Sequence, residues 1–236
     1  LRSGLEMLGE ESDRGDQARK AFTFMNLAMR DQRIRSEVSL LRSTNPSMTV
    51  EKAIEEVESR GQSSASWRPF QLAFIIKQIP TIVEPWSDLR SSNIAAAELL
   101  FFPTGGGKTE AYLGLAAFVF AIRRLQGVVE SSEGLLDGTA GVAVLMRYTL
   151  RLLTSQQFVR ATTLMCAAEI IRKSDEKTWG SEPFRIGLWV GTSVSPKSYE
   201  EAKTQIVDAR ADGGSSHGLT VLQVKRCPWC GSSINP

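Results

Sequence analysis

A glycine-rich stretch, Pro103-Thr104-Gly105-Gly106-Gly107-Lys108-Thr109, constrains this chain more than any other feature. It stands between a short apolar run, Leu99 to Phe102, and a long apolar segment that reads as a helix from about Lys108 to Leu125. Consecutive glycines allow backbone conformations closed to other residues and let main-chain N–H groups approach phosphate oxygens. The helix that follows points its positive end at the same place. Lys108 is expected to reach the β- and γ-phosphates of ATP, and the Thr109 hydroxyl to hold Mg²⁺. Thr104, Gly105, Gly106, Gly107 and Glu110 complete the expected contacts. A glycine-rich turn without nucleotide is the competing reading, and the run–loop–helix context argues against it.

The rest of the chain is ordered around this loop. From about Gln17 to Leu41 the residues Phe24, Leu27, Ile34, Val38 and Leu41 recur at helical spacing, and a second helix is expected from Val50 to about Ser59, capped by Thr49 and ended by Gly61. Residues 1–15 are polar and expected to fray, and Gly61 to Ser66 reads as a linker. From Trp67 apolar runs alternate with helices: strands at Leu99 to Phe102, Val142 to Met146 and Arg185 to Val190, and a helix from about Leu150 to Lys173. That order implies an α/β fold, a parallel sheet with helices on both faces. Gly127 to Gly141 is expected to be a surface loop, and residues 195–218 carry no assignable pattern. The expected division is a helical appendage over 1–66, a nucleotide-binding domain over 67–226 and a cysteine-bearing segment over 227–236.

Three further segments are similar to motifs of superfamily 2 helicases, in the order those motifs take. These enzymes commonly carry a Thr-Gly-x-Gly-Lys-Thr loop, which suits a chain with Phe102 where the stricter phosphate-loop pattern has glycine. Trp67-Arg68-Pro69-Phe70-Gln71 resembles the Q-motif, which implies that Phe70 stacks near adenine and Gln71 reads its polar edge. An amide suits that task because it both donates and accepts. Thr149-Leu150-Arg151-Leu152-Leu153-Thr154-Ser155-Gln156 resembles motif Ia, with Thr149 in place of the usual proline. Ile186 to Thr192 resembles the strand and glycine turn of motif Ib. The resemblance implies a nucleic-acid track formed by Arg147, Thr149, Arg151, Thr154, Gln156, Gly191 and Thr192, where hydroxyls, guanidinium groups and backbone amides meet phosphates.

The runs Phe101 to Gly114, Gly141 to Thr154 and Trp179 to Gly191 resemble a narrower group, the large helicase subunit of DISARM-type bacterial anti-phage systems. This resemblance spans roughly residues 67–230. It implies a RecA-like P-loop fold and an ATP-dependent DNA helicase or translocase acting in phage defence, beside partner proteins that include a phospholipase-D-like subunit. Such a motor needs an Asp-Glu pair at the end of a strand. The only adjacent pair in that order, Asp175-Glu176, follows a helix with no apolar strand before it, so it is not taken for that motif. The chain is therefore expected to be an N-terminal fragment that stops before the acidic motif and the second RecA-like domain, and to be inactive alone.

Cys227-Pro228-Trp229-Cys230-Gly231 is the pattern of a zinc knuckle, in which Cys227 and Cys230 supply half of a tetrahedral zinc site. A redox pair or an inert loop are the other readings. Cys166 lies among apolar helical residues, and His217 is the only histidine, which leaves little for a triad or a histidine-based metal centre. The longest apolar run, Ala111 to Ile122, is too short to span a bilayer, and the charged opening residues lack a secretory leader's apolar region. A cytoplasmic setting without membrane contact is expected. With 28 Lys and Arg against 26 Asp and Glu, the net charge of +2 gives no global case for nucleic acid, so any such site has to be local. Two other functions stay open: a nucleotide-gated assembly module without motor activity, and a zinc-ribbon DNA-binding protein with an incidental phosphate loop.

Overall fold

The structure, a computed structural model, describes residues 1–61, 65–87, 97–103, 105–131, 134–148, 151–190, 195–211 and 224–234, with the backbone alone for 151–155. Over these residues the chain is mostly helical. In chain order it forms α1 (Arg2–Gly9), α2 (Asp13–Thr44), α3 (Val50–Glu58), α4 (Pro69–Val83), α5 (Lys108–Gln126), β1 (Val128–Ser131), β2 (Gly134–Asp137), α6 (Arg151–Ser174), α7 (Glu176–Trp179) and α8 (Tyr199–Ala211). They belong to two compact units, one built from Leu1–Gln32, Ala65–Arg147 and Leu164–Phe184, the other from Arg33–Ser64, Tyr148–Thr163 and Arg185–Pro236.

The core of the first unit forms around α5. Ala111, Leu113, Ala116, Ala117, Phe118, Ala121 and Ile122 are all buried, as an apolar helix requires when it is covered on several sides. Helix α4 supplies Ile75, Ile76, Ile79 and Val83, and α2 supplies Ala18, Ala21, Phe24, Met25 and Ala28. Two glycines set the spacing. A methyl group on Gly114 would stand 2.6 Å from the Trp67 ring and 3.0 Å from Ile75 Cδ1, so α4 and α5 meet where α5 has no side chain. One on Gly4 would stand 1.9 Å from the Ile76 carbonyl oxygen, which brings α1 directly onto α4. Phe24 packs on Trp179 at 4.7 Å and Phe120 on Phe184 at 5.6 Å between ring centroids. Buried Arg172 donates to both carboxylate oxygens of Glu169, to Glu176 and to the carbonyl of Gly180. It thereby ties α6 to α7 and to the turn beyond.

In the second unit Val38, Ala53 and Val57 form a small core with Ile34, Leu41, Met48, Val50 and Ile54 packed around it. The Thr49 hydroxyl caps α3 by accepting from the Lys52 amide. Arg60 pairs with Glu37 and Glu56 at 2.7 and 3.0 Å.

Several expectations change. Residues 1–15 are not frayed: they form α1 and the start of α2, because Gly4 permits close docking and Arg19 donates to the carbonyls of Leu8, in the last turn of α1, and Glu10, just after it. The expected loop at 127–141 contains an antiparallel hairpin, with Val128 opposite Asp137 and Ser131 opposite Gly134. Arg123 at the end of α5 holds its exit by donating to Asp137 and Ala140 carbonyls. Part of the unassigned 195–218 segment is α8. The expected strands at 99–102, 142–146 and 185–190 carry no strand pairing among the described residues, whose only sheet is the two-stranded hairpin. A parallel strand has no internal hydrogen bonds and exists only against a neighbour. These segments instead expose Leu99, Phe101, Val142, Leu145 and Trp189, each at 80% or more. No helix among the described residues is long and apolar enough to cross a membrane.

Two outcomes follow. Gly114→Ala should destabilise the chain by about 1–3 kcal/mol, since the added methyl must push Trp67 or Ile75 aside; an unchanged denaturant midpoint would contradict the packing. The hydrogen bonds from Arg172 hold the Glu169 carboxyl below its ordinary pKa, and this cause outweighs burial, which acts the other way. A depressed native pKa stabilises above the unfolded carboxylate's pKa, and that contribution is lost as pH falls through the native value. Glu169→Gln should therefore lower the melting temperature at pH 7, with the gap narrowing on acidification below the ordinary carboxylate range.

Candidate functional site

The glycine loop is clasped from outside by the start of α4. Pro69 occupies the first helical position, where a missing N–H is no loss. Gln71, two residues on and 4% exposed, turns its amide both ways. Its Oε1 accepts from the Arg68 amide at 2.8 Å, and its Nε2 donates to the Gly107 carbonyl at 2.7 Å. One side chain thus ends the open turn of α4 and tethers the glycine that opens α5. Arg68 reaches the neighbouring carbonyl, Nη1 donating to Gly106 at 2.8 Å. Two successive carbonyls of the loop are thus held by side chains from the start of α4. Gly105 and Gly107 take φ values of 78° and 92°, which a side chain would strain. Position 107 has a second constraint, since a Cβ there would stand 2.7 Å from Gln71 Nε2.

Within the loop Gly106 N donates to the Pro103 carbonyl at 3.1 Å. The Lys108 ammonium donates to the carbonyls of Phe102 and Pro103 at 2.5 and 3.1 Å. Thr109 and Glu110 lie half-buried in the first turn of α5. Phe70 stacks on Phe102, with ring centroids 3.9 Å apart and planes 10° from parallel. Thr104 lies outside the described residues. The structure therefore brings Phe70, Gln71, Gly105, Gly106, Gly107, Lys108, Thr109 and Glu110 together at one place.

Sequence reasoning passed over Arg68 and Trp67 as site residues, although both stand in the quoted motif. The Trp67 indole donates to the Asn26 side-chain oxygen at 2.7 Å, and its ring covers Gly114. Asn26 in turn donates to the Phe22 carbonyl at 2.8 Å, so α2 braces the segment that clasps the loop. The signal available in sequence was a tryptophan and an arginine directly before a helix-starting proline.

The expected nucleic-acid residues are only partly described. Arg147 is exposed in the first unit and Gln156 is exposed on α6 in the second. Arg151 and Thr154 lie in α6 by their backbone, while Thr149, Gly191 and Thr192 fall outside the described residues, as does His217. The Asp175-Glu176 pair has structural work in this state: Asp175 accepts from the Thr178 amide at the start of α7, and Glu176 pairs with Arg172 at 3.2 Å.

In the second unit the cysteine pair sits in a tight knuckle. Cys227 N donates to the Ser232 carbonyl and Gly231 N to the Cys227 carbonyl, both at 2.8 Å, and Arg226 bridges Ser233. The knuckle rests on α2: Ser39 donates to the Cys227 carbonyl at 3.2 Å, Arg42 donates to the Cys230 carbonyl, and the Arg35 guanidinium lies 4.6 Å from the Trp229 ring. Gly231 is needed twice, with φ of 73° and with Ser39 O only 3.0 Å from where a Cβ would be. Burial pushes the Cys230 thiol up, but hydrogen bonds from Ser232 and Cys227 and the nearby Arg42 charge bring it below the ordinary thiol pKa. Two thiolates are soft donors suited to zinc, yet no group of three or more His, Cys, Asp or Glu gathers as a metal site among the described residues. The half-buried Cys166 forms no disulfide among the described residues.

No protein-family model matches the chain. It is 35% identical over 233 residues to DISARM protein DrmA of Bacillus paralicheniformis. That alignment takes in 98% of this chain and 19% of the relative. Along nearly its whole length, therefore, this chain is a homologue of DISARM protein DrmA, spanning 19% of that protein's length.

Proposed function

We propose that the chain is the ATP-binding part of a DNA helicase or translocase that acts in DISARM phage defence. The observation that carries this is the loop at 105–108, whose Gly106 and Gly107 carbonyls are held by Arg68 and Gln71, in a chain homologous to DrmA. Amide groups around Gly105 to Gly107 and the N-terminal end of α5 favour a polyphosphate. Lys108 leaves its two carbonyl partners to meet the β- and γ-phosphate oxygens, a fixed positive charge where negative charge develops on phosphoryl transfer. Thr109 supplies a hydroxyl to Mg²⁺, and Phe70 presents a ring to the base. Gln71 is already engaged by Arg68 and Gly107, so its contribution is to hold the loop as well as to meet the adenine edge.

In this reading the segments 99–102, 142–146 and 185–190 are strands of a RecA-like parallel sheet completed by the longer protein of the DrmA type, which covers Leu99, Phe101, Val142, Leu145 and Trp189. The carboxylate that activates water also comes from elsewhere, because Asp175 and Glu176 serve α7 and Arg172. Arg147, Arg151, Thr154 and Gln156 meet the DNA backbone, with Thr149, Gly191 and Thr192. Cys227 and Cys230 hold zinc with two further donors. Other defence proteins, a phospholipase-D-like subunit among them, are the expected partners.

Lys108→Ala should reduce ATP hydrolysis by the full-length protein about a hundredfold or more. Wild-type hydrolysis should rise with added DNA; a rate indifferent to DNA would favour a nucleotide-gated assembly module, and normal turnover in Lys108→Ala would end the proposal. Cys230→Ser should lose one zinc per chain by elemental analysis, and equal zinc in variant and wild type would remove the knuckle from the metal site.

A further inference from the structure

The Phe102 ring has an unusual setting. One face lies on Phe70 at 3.9 Å, nearly parallel. On the loop side, a Cβ at Gly106 would stand 2.6 Å from Phe102 Cδ1, so the ring rests against bare glycine backbone. Its own carbonyl accepts the Lys108 ammonium. Yet the residue is 38% exposed and belongs to no buried core. The Phe70 ring and the bare backbone of Gly106 are thus two of the contacts that hold this side chain, and both belong to the candidate site.

Taking the phosphate loop as a nucleotide site, we propose that Phe102 is a displaceable stand-in for the nucleotide base, which keeps the site shut until nucleotide replaces it. On the face of Phe70 that Phe102 covers, the geometry requires the exchange. Aromatic contacts lie at about 3.5–4.0 Å, so a base between two rings needs them about 7 Å apart. At 3.9 Å, Phe70 and Phe102 leave no room, and a base can stack on that face of Phe70 only after Phe102 has left it. The ring is taken to leave together with its own backbone, a movement that withdraws the Phe102 carbonyl from Lys108 and leaves the ammonium one carbonyl contact, to Pro103, to exchange for phosphate. Base and phosphate subsites therefore open in one step, and a ligand that fills either one favours the other by selecting the open loop.

The proposal predicts a gain of affinity on removal of an aromatic ring from the site. In the full chain, Phe102→Leu keeps apolar bulk without a flat ring to stack and should bind ADP about 2- to 10-fold more tightly, the range of one aromatic pair. Phe70→Leu should bind it more weakly. Equal or weaker ADP binding by a folded Phe102→Leu overturns the stand-in. Wild-type chain gives an independent test that needs no variant: saturating adenosine should raise its affinity for tripolyphosphate, and two ligands that bind without influence on each other overturn the coupling. Failure of wild-type chain to bind ADP at all would sink the nucleotide reading and this inference with it. ADP binding without the predicted gain and coupling sinks this inference alone.

Discussion

The site depends on one buried amide being used twice. Gln71 has a single oxygen and a single nitrogen to offer, and the structure commits the first to the Arg68 amide and the second to the Gly107 carbonyl. Both partners are main-chain groups at helix starts: the Arg68 amide is a donor that the ladder of α4 leaves over, and the Gly107 carbonyl accepts on a lone pair that the ladder of α5 does not need. The start of α4 and the start of α5 are thereby locked to each other at the loop. Burial gives that lock its strength: at 4% exposure Gln71 has little water to fall back on, and an unmade hydrogen bond there would carry the full desolvation penalty. The rest of the unit keeps this junction in place, with Trp67 seated on Gly114 and latched to Asn26.

What could be read from sequence follows from what each pattern needs to become visible. Helix α5 was expected over 108–125 and spans Lys108–Gln126, since a glycine at each end and an apolar run between them are local signals. Helices α3 and α6 agree within about a residue for the same reason. In α2 the extent was legible but the buried face was less so: Leu27 is exposed, while Ala18, Ala21, Met25 and Ala28 are packed. Alanine carries almost no hydropathy signal, so a face that packs by being small looks neutral. Helix α1 was hidden because its docking rests on the absence of a side chain at Gly4. The hairpin was hidden because Gly127, Gly134, Gly138 and Gly141 read as a loop, while its pairing depends on register and on Arg123.

The loop, its lysine and the flanking Phe70 and Gln71 were legible as a group because their residue types are tied to a chemistry. The clasp by Arg68 and the brace by Trp67 were not, since both act through main-chain or glycine partners that lie 38 and 47 positions away along the sequence. The three apolar runs show the limit from the other side. Their composition is that of strands, but a strand is a relation between two segments, and composition names only one of them.

Those runs have a consequence for how such a protein must be made. Leu99, Phe101, Val142 and Leu145 in one unit, and Trp189 in the other, offer water-averse side chains on backbone with no ladder partner among the described residues. Short apolar stretches of this kind are templates for adhesion between copies whenever they stand bare. Covering these runs is therefore a condition for the polypeptide to stay dispersed, and a chain that leaves them bare for long is a candidate for chaperone capture or clumping.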